Sequence, residues 1–196
     1  MKTLLLVFLS VAVLSCSSTP TAPEVSYPDK ATALINYINQ VRANPPAYSK
    51  ALQFDLSGMP SMAAMKENAI LTSVARDRAV DMANNGYSDS TSPKNFNQSG
   101  IDYLLDRAGY TADDYTGNVH WCQTGTFGEV IQIGGGDDYI TPEVVVKTIC
   151  AQEKEGKIFG YLDNIRYQDI GIGIAKATQA DKSVRWYYCI ITAKRK

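Results

Sequence analysis

His120 and Cys122 have the types and the spacing of half a metal site. Two residues apart on an extended strand, they leave the same face, and imidazole with thiolate is a zinc donor set. The sequence does not supply the other half. His120 is the one histidine among 196 residues, and no C-x-x-C pair or H-E-x-x-H helix adds donors. Packing of a satisfied imidazole beside Trp121 therefore outweighs the metal reading, and no metal or other cofactor is expected. Other enzyme signatures are also missing: there is no G-x-x-x-x-G-K-[ST] phosphate loop and no G-x-S-x-G nucleophile elbow. Gly134-Gly135-Gly136 has no Lys-Ser or Lys-Thr after it and reads as the exit of a strand.

Charge closes another class. With 19 basic and 20 acidic side chains the formal net charge is -1, whereas replacing counterions along phosphates takes a basic excess. No nucleic-acid partner is expected.

Cys16 belongs to different chemistry. Lys2 and the apolar run Leu4 to Leu14 have the form of a secretory signal, too short for a helix crossing about 30 Å of hydrocarbon. Val13-Leu14-Ser15-Cys16 ends that run with a small residue directly before cysteine, which resembles the bacterial lipoprotein signal. There, cleavage before the cysteine is followed by diacylation of its sulfur and acylation of the new N-terminus. The resemblance implies residues 1–15 as signal peptide and a chain held to the bacterial membrane through lipidated Cys16, because two or more acyl chains anchor stably without a span. Ser17 is not the aspartate associated with inner-membrane retention, so the expected address is the cell envelope at the outer membrane, with exposure at the surface. Setting Cys16 aside leaves Cys122, Cys150 and Cys189, an odd number that admits at most one intramolecular disulfide. Cys150 with Cys189, a helix against the last strand, is the preferred pair; three buried thiols are the alternative.

These residues need elements to hold them. Residues 16–28 are small, polar and proline-rich and read as a tether; the domain is expected over 29–196. Asp29 reads as an N-cap, and Ala31, Leu34, Ile35, Ile38 and Val41 then recur at helical spacing until Asn44-Pro45-Pro46 stops the helix. Leu71, Val74, Ala75, Met82 and Ala83 form a second stripe, with Gly86 as its left-handed stop. A loop over 88–99, a short helix from Ile101 to Ala108 ended by Gly109, and a strand over 127–133 follow. Thr141-Pro142-Glu143 has the residues of a helix start. The C-terminus reads as a hairpin: Ile170, Ile172 and Ile174 alternate with Gly171, Gly173 and Ala175, then a turn over 179–182, then a strand from Val184 to Thr192. This order predicts an α+β sandwich.

The order of several short segments also resembles one family. Asn36 to Arg42, Asn68 to Leu71 leading into Ala75 to Ala83, and Tyr87-Ser88 are similar to the opening of a CAP domain, the SCP-like superfamily of cysteine-rich secretory, antigen 5 and pathogenesis-related proteins. Arg107 to Tyr110, Gly128-Glu129-Val130-Ile131, Thr141 to Val145 and Ile170 to Gly173 are similar to its later motifs, in its order. The likeness covers about residues 30 to 193 and implies a three-layer α-β-α sandwich. It also implies a cleft that in many members carries two histidines and two acids.

Carried over position by position, the cleft is altered. Its first histidine falls on Asp89, one acid is kept as Glu129, the second falls on Gln152, and the last histidine falls on or near Glu155. Carboxylates favour harder cations than zinc, and three of them converging would raise at least one pKa unless a cation or a base such as Lys154 compensates. The resemblance therefore implies a non-enzymatic binding module, with a lipid, a sterol or a host surface as partner. Tyr87, Phe96, Tyr103, Tyr110, Tyr115 and Tyr139 are aromatic residues in or near expected loops that suit such contact. The competing expectation is a cation-assisted hydrolase of protease type, with Glu129 as base and Asp89 and Glu155 holding a hard cation.

Overall fold

The computed structural model describes residues 27–87, 92, 94, 100–110, 141–154, 167–178 and 184–193. They form a mixed helical fold around a small sheet, of α+β class. The first helix, α1 (Pro28–Ala43), starts one residue before the expected cap. Pro28 takes the first helical position, where its fixed φ and missing N–H cost nothing. Asp29 consequently sits inside the first turn, where its charge complements the helix dipole, and Tyr27 is the N-cap with no capping side-chain bond.

Asn44 ends α1 because a residue before proline is pushed out of the helical region. The same proline then starts α2 (Pro45–Leu52), a helix the sequence reading did not contain. Gln53 closes α2 at φ 53, and the chain crosses back along α1. The returning segment is laced to α1 by polar contacts. The Asn39 side chain both donates to and accepts from the backbone of Met65 at 2.9 Å, as a neighbouring strand would. Arg42, fully buried, donates through Nε and Nη2 to the Ala63 carbonyl at 3.3 and 3.2 Å.

Three strands make the sheet in the order β1 (Lys66–Glu67), β2 (Asp169–Thr178), β3 (Val184–Ala193). β1 runs parallel to β2 with Lys66 opposite Asp169, and β2 pairs antiparallel with β3 from Asp169↔Ala193 to Thr178↔Val184. The period of two sorts the hairpin's side chains onto two faces. Ile170, Ile172, Ile174, Trp186, Tyr188 and Ile190 join the buried residues of α1, α2 and α5 (Pro142–Lys154). Ala175, Tyr187, Cys189, Ile191 and Ala193 join those of α3 (Ala69–Asn85) and α4 (Ile101–Arg107).

α3 begins at a side-chain cap. The Asn68 side chain accepts from the N–H groups of Ile70 and Leu71 at 3.0 and 3.3 Å, satisfying two donors that a helix start leaves open. Gly86 ends the helix at φ 66. Its contact with β2 depends on two glycines. A Cβ on Gly171 would lie 2.2 Å from the Leu71 carbonyl carbon, and one on Gly173 would lie 2.1 Å from the Ala75 oxygen. The Ile-Gly alternation therefore has opposite purposes on the two faces: bulk on one, backbone approach on the other. The strand expected over 127–133 and the turn over 179–182 lie outside the described residues.

Candidate functional site

A partly buried polar cluster holds Tyr87 at the end of α3. Gly86 reverses the chain, so that the Tyr87 hydroxyl returns to the helix it has just left. Arg78 Nη1 donates to the Tyr87 oxygen at 2.5 Å and to Asp81 Oδ2 at 3.3 Å, and the Tyr87 hydroxyl donates to that same Asp81 oxygen. Asn85 Nδ2 donates to Asp81 Oδ1 at 2.6 Å. The Arg78 side chain is 1% exposed and that of Asp81 35%, so the ion pair runs from the interior toward water. Burial, and next the bond to Asp81, push the Tyr87 phenol up from its ordinary value, with Ser92 and Arg78 pulling the other way. Tyr87 therefore stays a neutral donor at working pH, and the cluster serves to position the chain rather than to move protons.

Sequence reasoning missed Arg78, although its register exposed it. Leu71, Ala75, Arg78 and Met82 fall on one helical stripe, so a charge stood on the buried face with an acid three residues later. Arg42 has the same relation to Ile35 and Ile38 on α1. A third buried polar group, Asp169, starts β2. It accepts from the Tyr110 hydroxyl at 3.3 Å and from Asn68 Nδ2 at 3.5 Å, which ties the end of α4 and the cap of α3 to the sheet.

Of the four residues assigned to the family's cleft, Gln152 lies on α5 near its C-terminal end. Asp89, Glu129 and Glu155 lie outside the described residues, as do Cys16, His120 and Cys122. Among the described residues, no group of three or more His, Cys, Asp or Glu side chains is placed to hold a metal ion.

The preferred disulfide is corrected. Cys150 and Cys189 are both buried and are not joined to each other. Cys150 packs with α1 and α5 on one face of the sheet, while Cys189 faces α3 on the other, so the strands themselves separate the two sulfurs. Burial pushes the Cys189 thiol up to about 12, with the Arg78 charge a smaller opposing influence. Two of the aromatic residues proposed for surface contact are also committed inward: Tyr110 is 5% exposed and Tyr87 is held in the cluster just described. Tyr103 lies partly exposed under the Arg107 guanidinium, 5.8 Å from its ring centroid.

Comparison with known proteins places one relative beside this geometry. The chain is similar to an SCP-domain protein. That solved structure is an extracellular protein containing a SCP domain from Bacillus anthracis str. Ames, at 14% identity and a TM-score of 0.47. The similarity covers 86% of this chain and 44% of that one, so this chain spans less than half of that protein's length. No family model matches the chain, and no curated protein matches it.

What the described geometry can do is hold a scaffold. Arg78 and Asp81 hold Tyr87 against the end of α3, and Asp169 holds two helix ends on the first residue of β2.

Proposed function

We propose that this chain is an SCP-like binding domain displayed at a bacterial envelope and tethered through lipidated Cys16. The observation that carries the fold part of this reading is the contact between its two best-marked motifs. Asn68 to Ala83 and Ile170 to Gly173, 87 or more residues apart in sequence, meet where Gly171 lies on Leu71 and Thr72 and Gly173 on Ala75 and Arg76. Such an approach is what a helix layer laid on a glycine-bearing strand requires, and it supports a three-layer α-β-α sandwich.

The anchoring part rests on Lys2, the apolar run and Val13-Leu14-Ser15-Cys16. No described helix is long and apolar enough to cross a membrane. The binding part rests on the altered cleft, in which Asp89, Gln152 and Glu155 stand where the family's histidines and second acid are expected, with a lipid or sterol as the ligand class.

Two measurements test it. The purified domain is expected to take up labelled sterol or fatty acid saturably; no uptake and no co-purifying lipid removes the lipid-binding assignment. Calorimetry with Zn²⁺, Mg²⁺ and Ca²⁺ on wild type and Glu129→Gln decides against the module if a cation binds to the first and not to the second, since that result marks a cation-assisted site. Anchoring is read separately: wild type incorporates labelled palmitate and Cys16→Ser does not.

A further inference from the structure

Four side chains gather where the described chain begins. Tyr27 meets Trp186 edge-on, with ring centroids 4.9 Å apart and planes at 60°. Its N–H donates to the Ile174 carbonyl of β2 at 3.3 Å, which pins this residue to the sheet. Trp186 is 7% exposed, so the rings form a floor rather than a protruding knob. Two ammonium groups lie over that floor. Lys30 Nζ is 5.6 Å from the Trp186 centroid; Lys176 Nζ is 5.8 Å from it and 5.9 Å from the Tyr27 ring.

The two lysines come from different elements. Lys176 is the cross-strand partner of Trp186, and Lys30 lies in the first turn of α1 beside Asp29. Helix and hairpin thus each bring one cation to a single aromatic surface, where cation–π attraction holds the stems down. Burial, and then the neighbouring charge of Lys176, hold Lys30 below the ordinary lysine range.

We propose that Lys30 and Lys176, on their Tyr27–Trp186 floor, form the face of the domain that rests on anionic lipid headgroups. The inference deepens the anchored reading of Cys16 and rests on it. Its argument is where the chain enters. Tyr27 is fixed at this face, and the chain between it and Cys16 can span at most about 40 Å. The anchor therefore keeps this end within reach of the bilayer and gives headgroups a local concentration that no free anion has. Lysine ammonium groups over an indole and a phenol match the chemistry of that interface, in which phosphates accept and amphipathic rings sit at headgroup depth.

The test uses the full-length protein, purified from membranes and reconstituted in phosphatidylcholine vesicles with or without phosphatidylglycerol. A water-soluble amine reagent then footprints its lysines, and mass spectrometry reads both lysine labelling and Cys16 acylation. Labelling of Lys30 and Lys176 is expected to fall by about fivefold in the anionic vesicles. It is expected to recover in about 0.5 M NaCl, where screening acts within a few ångströms. Exposed Lys50 and Lys66 serve as references that do not change. Equal labelling of Lys30 and Lys176 in both vesicle types, on chains shown to be acylated, overturns the headgroup contact and leaves the anchor standing. Protection by inorganic phosphate in phosphatidylcholine vesicles overturns it in favour of a free-anion site. An unacylated Cys16 overturns the anchored reading and the membrane face with it.

Discussion

Gly173 of β2 and Ala75 of α3 touch through backbone alone: a methyl group on the glycine Cα would lie 2.1 Å from the Ala75 carbonyl oxygen. Real carbon–oxygen contacts do not come that close, and the obstruction is main chain, which has no rotamer to escape into. Gly171 has the same relation to Leu71. Gly173→Ala is expected to lift α3 from the sheet and to cost about 1–3 kcal/mol or more, the range seen when a packed core is overfilled. Urea denaturation of wild type and variant measures this. A midpoint unchanged within error would mean that α3 does not lie against β2 as found.

The Arg78 cluster predicts an asymmetric set of losses. Arg78→Ala removes the buried end of the ion pair, takes a donor from Asp81 and Tyr87 and opens a cavity, at a cost of about 3 kcal/mol. Tyr87→Phe removes one hydroxyl that both accepts and donates, at about 1 kcal/mol. Because the residues share partners, the double variant should cost less than the sum of the two. Thermal unfolding of the four proteins measures the coupling; strict additivity would show that Arg78 and Tyr87 do not act together.

The two thiols give a chemical prediction. Without reductant, proteolysis of alkylated, denatured protein should release Cys150 and Cys189 on separate peptides that are not linked to each other. In the folded protein, neither should react. A linked peptide pair would contradict their placement on opposite faces of the sheet.

Alkaline pH tests the Cys189 environment. The folded thiol is held at about 12 against an ordinary value of 9.0. Above pH 9 the unfolded chain loses this proton while the folded chain keeps it, so the unfolded state binds fewer protons and stability falls as pH rises. The contribution is fully present below pH 9 and is lost between there and about pH 12, at about 1.4 kcal/mol per pH unit. Cys189→Ala should flatten the stability profile by that slope. An unchanged slope would place the thiol in contact with water.

Asn68 joins two elements, and its loss should show in both. Asn68→Ala removes the cap of α3, worth about 1 kcal/mol. It also withdraws a donor from buried Asp169. Asn68→Asp restores the cap while placing a second carboxylate beside Asp169, so it should recover only part of the loss. Full recovery in Asn68→Asp, read by urea denaturation, would remove the link to Asp169.

Much of this architecture was legible because helices and hairpins announce themselves locally. The stripe from Leu71 to Ala83 with Gly86 after it, the Thr141-Pro142-Glu143 start and the Ile-Gly alternation at 170–174 all became the elements they suggested. α2 escaped because a double proline reads as a stop, although proline at a first helical position is equally a start. β1 escaped because two residues carry no period. Arg42 and Arg78 lay on apolar stripes and were passed over as charges. The resemblance-based cleft residues could be named only one position at a time, and none of them announces itself by periodicity or by a local partner.

By itself, the sequence determined most of the described helices, the C-terminal hairpin and the apolar stripes by which they are buried. Those properties depend on spacing along a few turns or on a short run of residues. Only the tertiary structure decided that Gly171 and Gly173 meet a helix backbone, that Cys150 and Cys189 lie on opposite faces of a sheet, and that Lys30 and Lys176 share the ring of Trp186. Each of these joins residues far apart in the chain. Their distance is set by how layers pack and which face a strand turns inward, and no local pattern encodes that.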